Sequence, residues 1–192
     1  MADADFPTLH GHCVDLRPLA VGDAEVTLGW RTGERARLLN AGATDVEQQR
    51  SWIARRPRSE QNYVIELKSG DPVGMVSLIA INHVHRNAEP SRFLIGEEER
   101  VRGLPVAADA LSLLYADAFD RLGLERLYGI VVDTNERMLK WHIYLGMKEE
   151  GRMRRHFRFG DAWHDGVMVG LLEEDYRRVT VPKMRALIAL SR

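Results

Sequence analysis

The sequence predicts an α/β (α+β) fold: a mixed, mostly antiparallel central sheet flanked by helices. Three observations carry that expectation. A tight hairpin lies in the first half, later strands alternate with amphipathic helices, and two closing strands flank a Gly/Asp turn. The 192 residues suit one domain. Hydrophobic residues at 45% against 29% charged place the chain among folded globular proteins and exclude a disordered one.

The elements follow in order. The first dozen residues are polar and contain His10 and His12, and they read as a flexible terminus over residues 1–12. Apolar and polar positions alternate over residues 14–19, the pattern of a half-buried strand. Gly22 and Asp23 open a helix that passes Leu28, Trp30 and Arg31. Thr44-Asp45-Val46-Glu47 has capping-box spacing and starts a second helix, which runs to Ala54 before Pro57. Residues 63–68 and 73–79 are β-branched runs around Ser69-Gly70-Asp71-Pro72, a hairpin. A looser segment with His83, His85 and Asn87 leads to a strand over residues 92–96. From Pro105 to Phe119, Leu111, Leu114, Tyr115 and Ala118 recur at helical spacing. Residues 127–132 form a short apolar strand, and 135–145 a helix stopped by Gly146. Strands at 147–158 and 163–172 close the sheet. The organisation is thus a domain over 13–175 and a helical extension over 176–192, a short basic amphipathic segment that packs on the domain or on a second subunit.

Charge narrows the function classes. With 27 Lys+Arg against 28 Asp+Glu, nothing suggests a surface built to neutralise nucleic-acid phosphates. The single Cys13 excludes an intramolecular disulfide and a multi-Cys zinc site. His83 and His85 alternate as on a strand without a third ligand at metal spacing, so no metal is expected. The amino terminus is acidic where a secretory signal is basic, and no apolar run reaches membrane-spanning length. A cytoplasmic protein acting on a small molecule, with no nucleic acid or membrane partner, is the expectation.

Arg102-Gly103-Leu104-Pro105-Val106-Ala107 lies between a strand and an amphipathic helix. A helix start exposes backbone N–H groups and the positive end of the macrodipole, while small residues let a phosphate approach and Arg102 adds a charge-assisted bond. A pyrophosphate cradle is one outcome of that pattern; an ordinary helix entry is the other.

Taken with the order of elements, the chain resembles the GNAT superfamily of acetyl-CoA-dependent N-acetyltransferases over roughly residues 13 to 172. The loop from Arg102 to Ala107 fits that family's Arg/Gln-x-x-Gly-x-Gly/Ala pattern at both ends. Asn135 through Leu145-Gly146-Met147 is similar to its later motif, an Asn opening a helix that ends in Leu-Gly-Phe. The resemblance implies acetyl-CoA as donor and direct transfer to a primary amine in a ternary complex. It implies cofactor contacts from Leu94 and Ile95 on a splayed strand, from Arg102, Gly103, Val106, Ala107 and Ala108, and from Asn135. Pro105 stands at the family's central glycine and has no N–H to offer. His142 occupies the position of the family's proton-donating Tyr and is the candidate acid, since its ordinary pKa near 6.5 leaves a protonated fraction at neutral pH. Glu89 is the candidate base, and Glu97, Glu98 and Glu99 read as a solvated face. Trp30 and Arg31 resemble the branch that acetylates nucleotide-linked amino sugars, with Trp30 stacking on a ring and Arg31 pairing with a diphosphate; a core Trp and a surface Arg are the alternative. Acetyltransferases for ribosomal-protein amino termini, antibiotics and polyamines share the outline, and a non-catalytic acyl-CoA-binding module remains a different class. A homodimer is left open.

Overall fold

The computed structural model describes residues 6–39 and 42–190. One eight-stranded sheet organises them, in the order β1-β2-β3-β4-β5-β6-β8-β7. The strands are β1 (Leu9–His10), β2 (Val14–Pro18), β3 (Gln61–Leu67), β4 (Pro72–Asn82), β5 (Asn87–Ile95), β6 (Arg126–Val132), β7 (Lys148–Phe159) and β8 (Ala162–Leu172). Every neighbouring pair is antiparallel except β5 and β6. The mixed, mostly antiparallel sheet read from the sequence is what the chain forms.

Both faces of the sheet are covered, and β3 shows why. Tyr63 and Ile65 join the main core with Val14, Leu16 and Val76, against Leu111, Leu114 and Tyr115 of α3 (Val106–Ala116). Val64, on the opposite face of the pleat, packs with Leu19, Ala24 and Ile53 under α1 (Ala24–Thr32) and α2 (Val46–Ala54). A strand buried on both faces loses the alternation of a half-buried one, and the middle of β3, Tyr63-Val64-Ile65, is therefore an uninterrupted apolar run. The helix α4 (Glu136–Tyr144) precedes β7.

Four expectations change. Residues 9–10 belong to a paired strand, so the flexible terminus does not extend to residue 12; residues 1–5 lie outside the described residues. Buried Asp109 explains the difference, because its carboxylate accepts the amides of Cys13 (2.7 Å) and Val14 (3.1 Å) and pins the β1–β2 turn to α3. The cap of α2 is shifted by one residue. Asp45, not Thr44, is the N-cap and accepts from the amide of Gln48 at 2.9 Å. The strand expected at 92–96 begins at Asn87, because its first residues pair with both neighbouring strands. Finally, the helical extension begins at α5 (Glu173–Asp175) and continues through a π turn into α6 (Val181–Ala189). It packs on the domain: Tyr176 stacks on Phe119 at 4.5 Å and Met184 is buried in the main core.

Candidate active site

The site begins where two strands part. β5 and β6 are parallel partners only at Asn87↔Arg126 and Ala88↔Leu127. Beyond that point no ladder joins them, and a cavity of about 610 Å³ opens beside them. A bulge in β5 accompanies the parting. The register passes from Ser77↔Ser91 to Met75↔Leu94, so Arg92 and Phe93 together oppose Val76. Arg92 takes up the extra residue in a left-handed backbone conformation, φ 52°.

A non-glycine residue there costs about 1–2 kcal/mol, so it needs support. The Arg92 guanidinium donates to Glu60 (3.0 and 3.4 Å) and to Asn62 Oδ1 (3.1 Å), and lies 5.2 Å from the centre of the Trp52 ring. Buried Ser77 donates to the same Asn62 oxygen at 2.6 Å. Ladder parity then decides which β5 amides face the gap. The Gly96 amide donates to Val73 O at 2.8 Å, which makes that pair and Met75–Leu94 the hydrogen-bonded ones. Leu94 therefore turns its amide toward β4, while Phe93 and Ile95 turn theirs away from it. Of the two expected strand contacts, Ile95 turns its amide toward the gap, whereas Leu94 turns its amide to β4 and buries its side chain against Trp30 and Met75.

Glu89 and His142 both line the cavity, Glu89 from β5 and His142 from α4. Burial raises the Glu89 carboxyl above the ordinary glutamate range, and Arg92 opposes that only in part. The expected role of His142 as a protonated acid does not fit its surroundings. Burial pushes its pKa down to about 4, and its Nδ1 is buried without a partner, so the ring is neutral at pH 7. Fully buried Tyr115, from α3, lines the same cavity with its hydroxyl lacking a hydrogen-bond partner, and burial raises its pKa. The sequence placed Tyr115 only among the apolar positions of a helix, and spacing gave no signal that its oxygen is an orphan.

Asn135 is the N-cap of α4, accepting from the Met138 amide at 3.3 Å, and it also lines the cavity. The two roles proposed for it are compatible in one place. Arg31 lines the cavity as well, whereas Trp30 does not. Trp30 is 7% exposed, packs with Ala36, Met75 and Leu94, and donates Nε1–H to Glu97 at 3.0 Å. Its ring lies against Gly96, where a Cβ would stand 2.2 Å from it. Stacking on a substrate ring is thus excluded for Trp30, because its ring and its N–H are already engaged in the core.

The loop before α3 has the shape of an anion site. Gly103 adopts φ 81° with open space where a side chain would project. Pro105 is the N-cap, and the first intrahelical bond runs from the Asp109 amide to Pro105 O (2.9 Å). The amides of Val106, Ala107 and Ala108 precede that bond and have no intrahelical acceptor. Arg102 is largely exposed and pairs with Glu99 at 2.7 Å.

Residues 14–148 match the family model of the acetyltransferase (GNAT) domain. The chain belongs to the GNAT acetyltransferase family. Spermidine N(1)-acetyltransferase of Escherichia coli K12 is 34% identical over 121 residues, and that of Vibrio cholerae El Tor 27% identical over 118. The E. coli match spans 62% of this chain and 62% of that enzyme, less than two thirds of the relative's length. A T. thermophilus structure assigned to the acetyltransferases is 28% identical, with TM-score 0.77, covering 97% of this chain and 98% of that one. Mutant forms of the spermidine/spermine N-acetyltransferase SpeG of V. cholerae superpose with TM-score 0.75 at 22% identity, covering 86% of this chain and 96% of that one; this likeness speaks for the fold alone. Among the described residues, no helix is long and apolar enough to cross a membrane. Nor, among them, do three His, Cys, Asp or Glu side chains come together as a metal site.

Proposed function

We propose that the protein transfers the acetyl group of acetyl-CoA to a primary amine of a small molecule. The observation that carries this is the parting of β5 and β6 onto a cavity bounded by both, with the unpaired amides of α3 following β5 in the chain. The donor's pyrophosphate binds at Gly103 and the amides of Val106, Ala107 and Ala108, with Arg102 exchanging Glu99 for it. Pro105 removes no donor from this set, since it occupies the N-cap and the three orphan amides follow it. The pantetheine arm runs along the free edge of β5, where the amides of Phe93 and Ile95 face it and Asn135 adds a side-chain contact from α4.

In the reaction, the amine nitrogen attacks the thioester carbonyl carbon, the C–S bond breaks, and the nitrogen loses one proton while the CoA sulfur gains one. Glu89, with its carboxyl pKa raised toward the working range, accepts the proton from nitrogen. His142, neutral at pH 7, is not the donor to sulfur; of the two tyrosines that line the cavity, Tyr115 and Tyr128, the orphaned Tyr115 hydroxyl is the donor proposed. Orientation supplies the larger share of the acceleration. Among the acceptors open from the sequence, the names of the relatives back a polyamine better than a nucleotide-linked amino sugar. What they support for this chain is the coarser class, a small amine.

Calorimetric titration with acetyl-CoA, with unacetylated CoA as reference, tests the donor half. Micromolar binding is expected for both. Absence of binding at millimolar acetyl-CoA would remove the acetyltransferase proposal and leave the scaffold without a donor.

A further inference from the structure

We propose that the acceptor amine carries a phosphate group, held by a basic bulge of β7 at the rim of the cavity. The inference rests on the acetyltransferase proposal above and narrows its substrate class.

Inside the cavity the described charged lining residues are Arg31, Glu89 and Arg92. Glu89 provides one carboxylate for one amine. A further carboxylate close by, Glu60, is already engaged by Arg92 in the clamp of the β5 bulge. A polyamine presents two or more cations along its length and calls for a second, uncommitted acid in the wall. Among the described residues the wall holds no such second acid, and its remaining charges are those of Arg31 and Arg92, each already engaged.

The rim repeats the pattern. Between Met153↔Gly166 and Phe157↔His164 the β7–β8 ladder is interrupted, and Arg154, Arg155 and His156 project from it. Arg155 is held at φ 50°, with its amide on Asp165 at 2.8 Å. An open depression is lined by Met153, Arg154, Arg155 and His156. The guanidinium groups of Arg152 and Arg158 are balanced by Glu149 and Asp161, whereas those of Arg154 and Arg155 have no carboxylate partner among the described residues. The bulge neighbours the cavity through one residue: the His156 ring meets the Phe157 ring at 4.7 Å, and Phe157 lines the cavity. Two adjacent guanidinium groups without carboxylates, with an imidazole beside them, suit a multiply charged oxyanion. Bulges re-aim side chains beside active sites, and this one turns three basic residues out of the ladder next to the cavity wall.

The test compares amines that differ only in a phosphate: glucosamine with glucosamine 6-phosphate, and ethanolamine with phosphoethanolamine, with spermidine as a third class. Binding is measured by calorimetry on the protein with and without CoA, and transfer by thiol release. At least one phosphorylated member is expected to bind about tenfold or more tighter than its parent, with the advantage shrinking as salt rises. Arg154→Glu/Arg155→Glu is expected to lower that preference ratio by about tenfold or more, and the milder Arg154→Gln/Arg155→Gln to lower it in the same direction, with circular dichroism checking the fold. The proposal is overturned if no phosphorylated amine is preferred, if spermidine binds more tightly than all of them, or if the charge-reversed protein keeps the wild-type ratio. Failure of acetyl-CoA to bind would sink the acetyltransferase proposal instead, and the CoA-free arm still reads the phosphate preference.

Discussion

Arg92→Ala probes the clamp that holds the cavity wall. Arg92 is 21% and Glu60 14% exposed, so the pair is mostly withdrawn from water. The substitution removes contacts to Glu60 and Asn62 and leaves the carboxylate hydrogen-bonded to the Asn62 amide at 3.2 Å, with Arg56 interacting only through its charge. Breaking one side of a buried pair costs about 3–5 kcal/mol, and the residual exposure here brings the expectation to about 3 kcal/mol. For a chain of this size that is a fall in Tm of about 6–12 °C, at roughly 2–4 °C per kcal/mol. Arg92→Gly loses the same contacts but relieves the left-handed backbone, and should recover about 1 kcal/mol relative to Ala. Chemical denaturation of wild type, both variants, Glu60→Gln alone and Glu60→Gln combined with each supplies the coupling energy. The reasoning is refuted if Arg92→Ala costs less than about 1 kcal/mol, or if the glycine variant is no more stable than the alanine one.

Three further outcomes follow from the ionisable groups. Glu89 has a raised carboxyl pKa, so kcat/KM should fall as pH drops through a limb above the ordinary glutamate range; Glu89→Gln should remove that limb and lower kcat by about a hundredfold, while His142→Phe leaves the profile above about pH 5 unchanged. Stability has the matching sign: the folded state binds Glu89's proton more readily than the unfolded state, so this contribution is present at low pH and lost as pH rises through the folded value, as urea midpoints of wild type and Glu89→Gln would show. Cys13 has its thiol pKa pushed up to about 12, first by burial and then by Asp109. Iodoacetamide at about pH 8 should therefore modify it on the order of a thousandfold more slowly than an exposed thiol, and Asp109→Asn should speed the reaction; alkylation at the free-thiol rate in the wild type would contradict that environment.

Much of this fold is local and hence legible. The hairpin at Ser69-Gly70, the amphipathic face of α3 and the stop at Gly146 each follow from residues within a turn or two of one another, with Gly70 at φ 90° and Gly146 at φ 105° confirming the turn chemistry. Asn135 could be read as a helix cap for the same reason. What could not be read depends on partners far along the chain. The ordering of residues 9–12 comes from Asp109, nearly a hundred positions away, and Gly11 is needed because a Cβ there would stand 2.8 Å from that carboxylate. Trp30 has two equal readings in the sequence, and only Gly96 and Glu97, which enclose it, decide between them. His142 carries its ordinary pKa in a linear chain and loses it on burial. Arg92, the residue that shapes the wall, has no motif at all: nothing in a linear sequence marks an arginine that will adopt positive φ.

The run Glu97-Glu98-Glu99 shows how such distant partners join the two halves of the site. Three consecutive acids look like one solvated face, yet each has its own partner: Glu97 the Trp30 indole at the end of α1, Glu98 the Arg35 guanidinium beyond it, and Glu99 the Arg102 of the loop before α3. The helix that brings Arg31 to the cavity is thus tied to the same short segment that leads from β5 into the loop before α3, the proposed donor cradle. The three ties are unequal. The Trp30 bond is partly buried and anchors a core aromatic, whereas Glu99 and Arg102 are 82% and 77% exposed and their pair contributes little to stability. In the proposed donor site an arriving pyrophosphate can therefore take Arg102 from Glu99 at small cost while Trp30 keeps α1 anchored. On that proposal, the inequality lets the loop change partners without moving the cavity beside it.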